Sequence, residues 1–142
     1  MKKVNIFIPI EIKSRELDHS VLLALACLKQ RFRIYIGSKI SINKIIECKK
    51  DKNGIILYKS GLYEKDIKNY KKKLNHFCIL DQEIGIANNI SNDKSDLFIK
   101  SRVLKGTENL IDRYFVTNSF YKKKFFKNYA LLRNKIKITG SP

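Results

Sequence analysis

The chain has 142 residues, 44% of them hydrophobic, which is enough for one domain with a real core and too few for two ordinary ones. Lys and Arg number 30 against 13 Asp and Glu, a formal net charge of +17. That charge suits nucleic acid, anionic lipid headgroups or phosphorylated substrates, but lysine dominates it in a chain also rich in Ile, Asn and Tyr, so AT-rich coding and ordinary surface solvation account for much of it. No apolar run approaches the roughly 20 residues of a membrane span. The run after Met1-Lys2-Lys3 is broken by Pro9, Glu11 and Lys13 and is too short for a signal peptide. Cys27, Cys48 and Cys78 are odd in number and lack CxxC spacing. Free thiols, buried for Cys27 and Cys78, fit a reducing, cytoplasmic setting, with a basic surface suited to peripheral contact at the inner face of an anionic membrane.

In chain order, Val4 to Ile8 reads as a buried strand ended by Pro9, and Ile10 to Arg15 as a polar loop. Glu16 to Gln30 carries Leu17, Val21, Leu22, Leu25 and Leu28 at helical spacing, with acids early and Lys29 and Arg31 late, as the helix dipole favours. Phe32 to Ile36 is a second strand stopped by Gly37, and Ile40 to Cys48 a short helix. Asn53-Gly54 is a turn signal before a third strand, Ile55 to Tyr58. Leu62 to Leu74 is a charged helix with Ile67, Tyr70 and Leu74 on its apolar side, and His76 to Leu80 a fourth strand.

Ile84 to Ser95 reads as a loop, and Asp96 to Arg113 as partly helical, broken at Gly106 with Thr107 capping a second segment. Tyr114 to Val116 is a fifth strand, Ser119 to Leu132 a helix capped by Ser119, and Ile136 to Thr139 a sixth strand. Short strands alternating with helices and no hairpin signal predict βαβ units. The expected fold is α/β: a Rossmann-like parallel sheet of about six strands with helices on both faces.

Ligands of such sheets bind outside the carboxyl ends of the strands. That rule selects Glu11, Lys13, Ser14, Arg15 and Glu16 after the first strand, and Lys59 and Ser60 with Gly61 after the third. It selects Asp81, Gln82 and Glu83 after the fourth, Asn118 with Ser119 after the fifth, and Gly140 and Ser141 after the sixth. The first loop has no GxGxxG or GxxxxGK[ST], which disfavours a dinucleotide or P-loop site. Arg15 suits a phosphate or sugar carboxylate, the alternative being a salt bridge to Glu11 or Asp81. Asp81 and Glu83 share a face in strand-like geometry and suit a general base or sugar hydroxyls, the alternative being turn or capping chemistry. His19 and His76 lack metal-ligand spacing, and no metal site is expected. The aromatics Phe120, Tyr121, Phe125, Phe126 and Tyr129 recur at helical spacing between lysines, which reads as core on one face and solvated cations on the other.

Three segments carry a resemblance: Ile8-Pro9-Ile10-Glu11-Ile12-Lys13-Ser14-Arg15-Glu16-Leu17-Asp18; Tyr58-Lys59-Ser60 with Asp81-Gln82-Glu83-Ile84-Gly85; and Lys137-Ile138-Thr139-Gly140-Ser141-Pro142. Together they resemble the N-terminal part of bacterial surface carbohydrate (surface polysaccharide) biosynthesis proteins. These are glycosyltransferase-like, GT-B-type enzymes with two Rossmann-type domains facing across a cleft. Gln82 stands where the family pattern has an acid. The resemblance implies that residues 1–142 are the N-terminal domain, with a C-terminal donor-binding domain absent, and that this chain alone is inactive. It implies no cofactor on this domain, a nucleotide-activated sugar donor for the intact enzyme, and a glycan or lipid-linked glycan acceptor. Glu11, Lys13, Arg15 and Glu16 would line the cleft floor, with Asp81 and Glu83 approaching the reacting sugar. Glu11, Asp81 and Glu83 are the catalytic candidates; Lys13, Ser14, Arg15, Glu16, Lys59, Ser60, Gln82, Asn118, Gly140 and Ser141 are the substrate-binding ones. The competing readings are a basic, non-enzymatic polyanion-binding module and half of a glycerophosphotransferase-like enzyme. Nucleic acid is the less favoured partner.

Overall fold

β-Branched runs of four to six residues form the strands, and the charged amphipathic stretches between them form the crossovers that parallel pairing requires. A computed structural model describes residues 3–28, 30, 32–50, 52–81 and 92–140. The elements are β1 (Asn5–Ile10), α1 (Lys13–Leu28), β2 (Arg33–Ser38), α2 (Lys39–Cys48), β3 (Gly54–Tyr58) and α3 (Glu64–Lys73). They continue with β4 (His76–Leu80), α4 (Asn92–Arg102), β5 (Arg113–Val116), α5 (Ser119–Asn128), a 3₁₀ turn (Ala130–Leu132) and β6 (Ile136–Ile138). All strand pairs are parallel, in the order β2-β1-β3-β4-β5-β6. The fold is therefore α/β and Rossmann-like, as the strand–helix alternation predicts.

The strand order has a consequence for the helices. The chain leaves β1 toward β2 and then crosses back over β1 to β3, after which every step runs the same way. Right-handed crossovers thus place α1 on one face of the sheet and α2 to α5 on the other. Burial agrees. The main core joins Phe7, Ile56, Phe77, Ile79, Tyr114, Val116 and Ile136 from the strands to Ile42, Ile67, Ile99 and Phe125 from the helices, and α1 contributes nothing to it. Alternate strand residues face opposite ways, so Ile6 and Ile8 are buried on the other face, where α1 packs on β1 and β2.

Local chemistry fixes several ends. Ser38 caps α2, its hydroxyl accepting from the Ser41 N–H at 3.2 Å. Glu64 and Asp66 open α3 and Lys71, Lys72 and Lys73 close it, matching the dipole, with Lys68 paired to Glu64 at 2.6 Å. Gly54 lies under Leu74 and Phe7: a Cβ there would sit 2.8 and 2.9 Å from their side chains.

The structure differs from the sequence expectation in several places. Cys27 is half-buried rather than buried, β2 runs through Gly37 to Ser38, and α4 begins at Asn92, inside the stretch read as a loop. β1 runs through Pro9 to Ile10, because beyond Phe7 it pairs with β2 alone and one side of its backbone makes no ladder. α1 begins at Lys13, so Lys13, Ser14 and Arg15 form its first turn rather than a loop. The α1 residues fully buried are Glu16, Ser20 and Ala24, while Val21, Leu22, Leu25 and Leu28 are exposed. Ser20 and Ala24 are small enough to let the helix sit close to the sheet, with Leu17, Leu23 and Cys27 half-buried beside them. Thr107 caps no helix; its hydroxyl donates to the Leu104 carbonyl at 2.7 Å, after Gly106 turns the chain at φ 90°. Asn118, not Ser119, caps α5, and the helix ends at Asn128 because Tyr129 leaves helical geometry at φ −138°.

Candidate functional site

The connections from β1 and β3 leave in opposite directions, and the crevice between their carboxyl ends is the topological switch point at which open α/β sheets take ligands. Four charged side chains converge there. Glu16, in the first turn of α1, is nearly buried and reaches back so that one oxygen accepts the Glu11 N–H at 2.8 Å, a capping-box-like contact that fixes the β1–α1 turn. Its other oxygen lies 3.3 Å from the Arg15 guanidinium and 3.8 Å from Lys59 Nζ. Lys59, one residue past β3, pairs with Glu11 at 2.5 Å. The Tyr58 hydroxyl donates to the other Glu11 oxygen at 3.3 Å, and Lys39 Nζ lies 5.4 Å from the centre of the Tyr58 ring.

The electrostatics follow from these contacts. The Lys59 hydrogen bond holds the Glu11 carboxyl below its ordinary range against the opposing effect of burial, with the Lys59 charge and the Tyr58 hydroxyl adding to it. Burial raises Tyr58, and the Glu11 charge raises it further. Glu11 therefore stays ionised at neutral pH and offers no proton. A carboxylate so stabilised is also a weak base. What the cluster offers is hydrogen-bonding capacity: acceptors for hydroxyls on Glu11 and Glu16, and donors for anionic or carbonyl oxygens on Arg15 and Lys59.

The other strand ends contribute unequally. Asp81 is not presented to the crevice. Its side chain is fully buried, clamped bidentately by Arg102 of α4, with Nε at 2.8 Å, and accepting from the Tyr114 hydroxyl at 2.8 Å. Burial, and then the Asp81 charge, push Tyr114 well up, so it remains a donor. The Gly61 N–H donates to the Arg102 carbonyl at 3.1 Å, so the Asp81–Arg102 pair ties α4 to the turns after both β3 and β4. Asn118 accepts the Tyr121 N–H at 3.1 Å and so serves α5 rather than the crevice. Among the described residues the Ser60 hydroxyl is buried with no hydrogen-bond partner, and so is the Thr117 hydroxyl; both lie at strand carboxyl ends. Lys13 and Ser14 are exposed on α1, and Gly140 turns the chain at φ 83° after β6. Gln82, Glu83 and Ser141 lie outside the described residues.

Three contributors escape the sequence reading: Tyr58, Lys39 and Arg102. Lys39 had a signal. It stands just past β2, and the strand-end rule applied there selects it as it selected Lys59. Tyr58 is the last residue of its strand and lies directly before Lys59. Lys39 also opens a cavity of about 350 Å³ between α2 and α3, bounded by Asn43, Leu62, Asp66 and Tyr70, with Lys72 and Lys73 beyond. Among the described residues no group of three or more His, Cys, Asp or Glu could hold a metal ion, and no helix is long and apolar enough to cross a membrane. No family model, no curated protein and no solved structure matches the chain.

Proposed function

We propose that the chain is the acceptor-side domain of a two-domain, glycosyltransferase-like enzyme of bacterial surface polysaccharide assembly, and that it holds an acceptor saccharide over the β1–β3 crevice. The observation that carries this reading is the Glu11–Lys59–Glu16–Arg15 cluster at the switch point. Two carboxylates and two cations, followed in the chain by the buried Ser60 hydroxyl and lacking a glycine-rich phosphate cradle, match a polyhydroxylated ligand better than a dinucleotide. Two of the segments that carry the resemblance, Ile8 to Asp18 and Tyr58 to Ser60, run through the same residues. In this reading Glu11 orients acceptor hydroxyls rather than removing a proton, and Asp81 supports the crevice wall through Arg102.

The test is a ¹⁵N chemical-shift titration with free N-acetylglucosamine, galactose and sn-glycerol 3-phosphate, each at millimolar concentration. Saccharide-dependent shifts centred on Glu11, Arg15 and Lys59, lost in Glu11→Gln, are expected. Shifts with glycerol phosphate alone would move the reading to glycerophosphotransfer on the same two-domain plan. No response at these residues to any of the three probes would end it.

A further inference from the structure

A groove leads away from the crevice. Lys39 stands at the junction: its Nζ lies 5.4 Å from the centre of the Tyr58 ring, and it also lines the cavity of about 350 Å³ between α2 and α3. Tyr58 and Tyr70 continue the connection, with ring centres 6.0 Å apart. Their hydroxyls turn to different sides. Tyr58 donates to Glu11 in the crevice at 3.3 Å, and Tyr70 to Asn43 Oδ1 in the groove at 2.8 Å. From Lys39 the groove follows Asn43 and Glu47 along α2, and Asp66, Asn69 and Lys73 along α3, spacings of three or four residues that keep each set on one helix face. Lys39 to Glu47 spans about 12 Å at helical rise.

The lining suits hydroxyl groups rather than a polyanion. Its charged side chains are three cations and two carboxylates: Lys39 at one end, Lys72 and Lys73 at the other, with Asp66 and Glu47 interspersed. Such alternation builds no field of one sign. Its neutral polar groups are amides. Tyr70 holds Asn43 by the amide oxygen and leaves the Asn43 N–H groups as donors; Asn69 both donates and accepts, and Asp66 offers two acceptor oxygens. Among the described residues the side chains of Asp66 and Asn69 have no hydrogen-bond or ion-pair partner, so both remain available to a ligand. Ile46, Leu62 and Tyr70 supply an apolar floor on which the C–H face of a sugar ring can rest.

We propose that this groove is a second saccharide subsite. The acceptor runs from the β1–β3 crevice past Lys39 and lays its next sugar ring between α2 and α3, hydrogen-bonded by Asn43, Asp66 and Asn69. The ligand class is then an oligosaccharide rather than a single sugar: the crevice takes one ring through Glu11, Arg15 and Lys59, and the groove selects for a second. The inference rests on the saccharide reading of the crevice and extends it along the ligand.

A ¹⁵N chemical-shift titration tests it by comparing N-acetylglucosamine and galactose with the disaccharides N,N′-diacetylchitobiose and N-acetyllactosamine, each at millimolar concentration. The single sugars should move Glu11, Arg15 and Lys59. The disaccharides should move these and, in addition, Asn43, Asp66 and Asn69, and should bind at least about tenfold more tightly, the worth of one or two further hydrogen bonds. Asn69→Ala, at an exposed position of α3, and Asp66→Ala should keep the fold and the single-sugar affinity while removing most of that gain. Disaccharide shifts confined to Glu11, Arg15 and Lys59, or a gain that survives both substitutions, overturn the subsite and leave the crevice reading standing. No response at the crevice to any of the four sugars ends both.

Discussion

Replacing Arg102 by methionine leaves the Asp81 carboxylate where water does not reach it. The Asp81 side chain is 0% exposed and that of Arg102 14%, and Arg102 makes two hydrogen bonds to it. The Tyr114 hydroxyl would still donate to it. Removing one member of a buried ion pair costs about 3–5 kcal/mol, chiefly because the survivor keeps its desolvation without its counter-charge. Against a typical domain stability of about 5–15 kcal/mol, Arg102→Met should lose about a fifth or more of the total. Asp81→Asn should cost less. It is nearly isosteric, still accepts from Tyr114, and leaves an arginine close enough to the surface to recover water. Tyr114→Phe removes one hydrogen bond to a charged acceptor and should cost about 1.5–3 kcal/mol. Urea unfolding followed by far-ultraviolet circular dichroism measures all three, since the chain has no Trp. If Arg102→Met and Asp81→Asn each cost under about 1 kcal/mol, the pair does not pin α4 to the sheet, and Asp81 returns as a candidate for chemistry.

Three further outcomes are expected. Asn118→Ala should destabilise by about 1 kcal/mol and Ser119→Ala by far less, because Asn118 supplies the α5 cap; the shift in urea midpoint separates them. Gly54→Ala should cost about 1–3 kcal/mol by driving a methyl group into Leu74 and Phe7, read from the same unfolding curves. The Glu11 carboxyl titrates below its ordinary value of 4.5 in the folded chain, so its contribution is complete above that value and is lost as pH falls through the folded pKa. The thermal midpoint of wild type should therefore fall more steeply than that of Glu11→Gln on acidification below about pH 4.5, and Lys59→Met should remove most of the difference. Parallel curves would mean that Lys59 and Glu11 do not interact in solution.

Much of the fold is legible in the chain because its strands are short β-branched runs with clear stops. His76 to Leu80 needs no adjustment, and Ile67, Tyr70 and Leu74 are buried on the side of α3 that their spacing predicts. The failures share a cause. Hydrophobic periodicity assumes that the largest apolar residues face the sheet, and α1 inverts this. Its fully buried stripe is Glu16, Ser20 and Ala24: Glu16 is drawn in by the Glu11 N–H, and Ser20 and Ala24 are small enough for a helix seated closely on β1 and β2. Periodicity also reads no local change of helix geometry, so Ser119 to Leu132 looks continuous although Tyr129 breaks it.

The site shows the same division between position and partner. The strand-end rule finds Glu11, Glu16 and Lys59 because it depends only on where strands stop. It cannot assign ion pairs, which depend on where helices start. With Ile10 to Arg15 taken as a loop, Arg15 is free to reach Glu11 or Asp81. Once α1 begins at Lys13, Arg15 belongs to the first helical turn, its guanidinium meets Glu16 at 3.3 Å, and Lys59 takes Glu11. Asp81 is the stronger case. Its decisive partner lies 21 residues downstream at the last turn of α4, and nothing in the composition of Asp96 to Arg113 singles out Arg102 among its neighbours. A carboxylate at a strand end therefore has two destinations, the crevice or the wall behind it. The choice turns on how deeply the pair it forms with a cation is buried. For Glu11 the cation is Lys59, 28% exposed, and the pair stays within reach of a ligand; for Asp81 it is Arg102, and the pair is sealed.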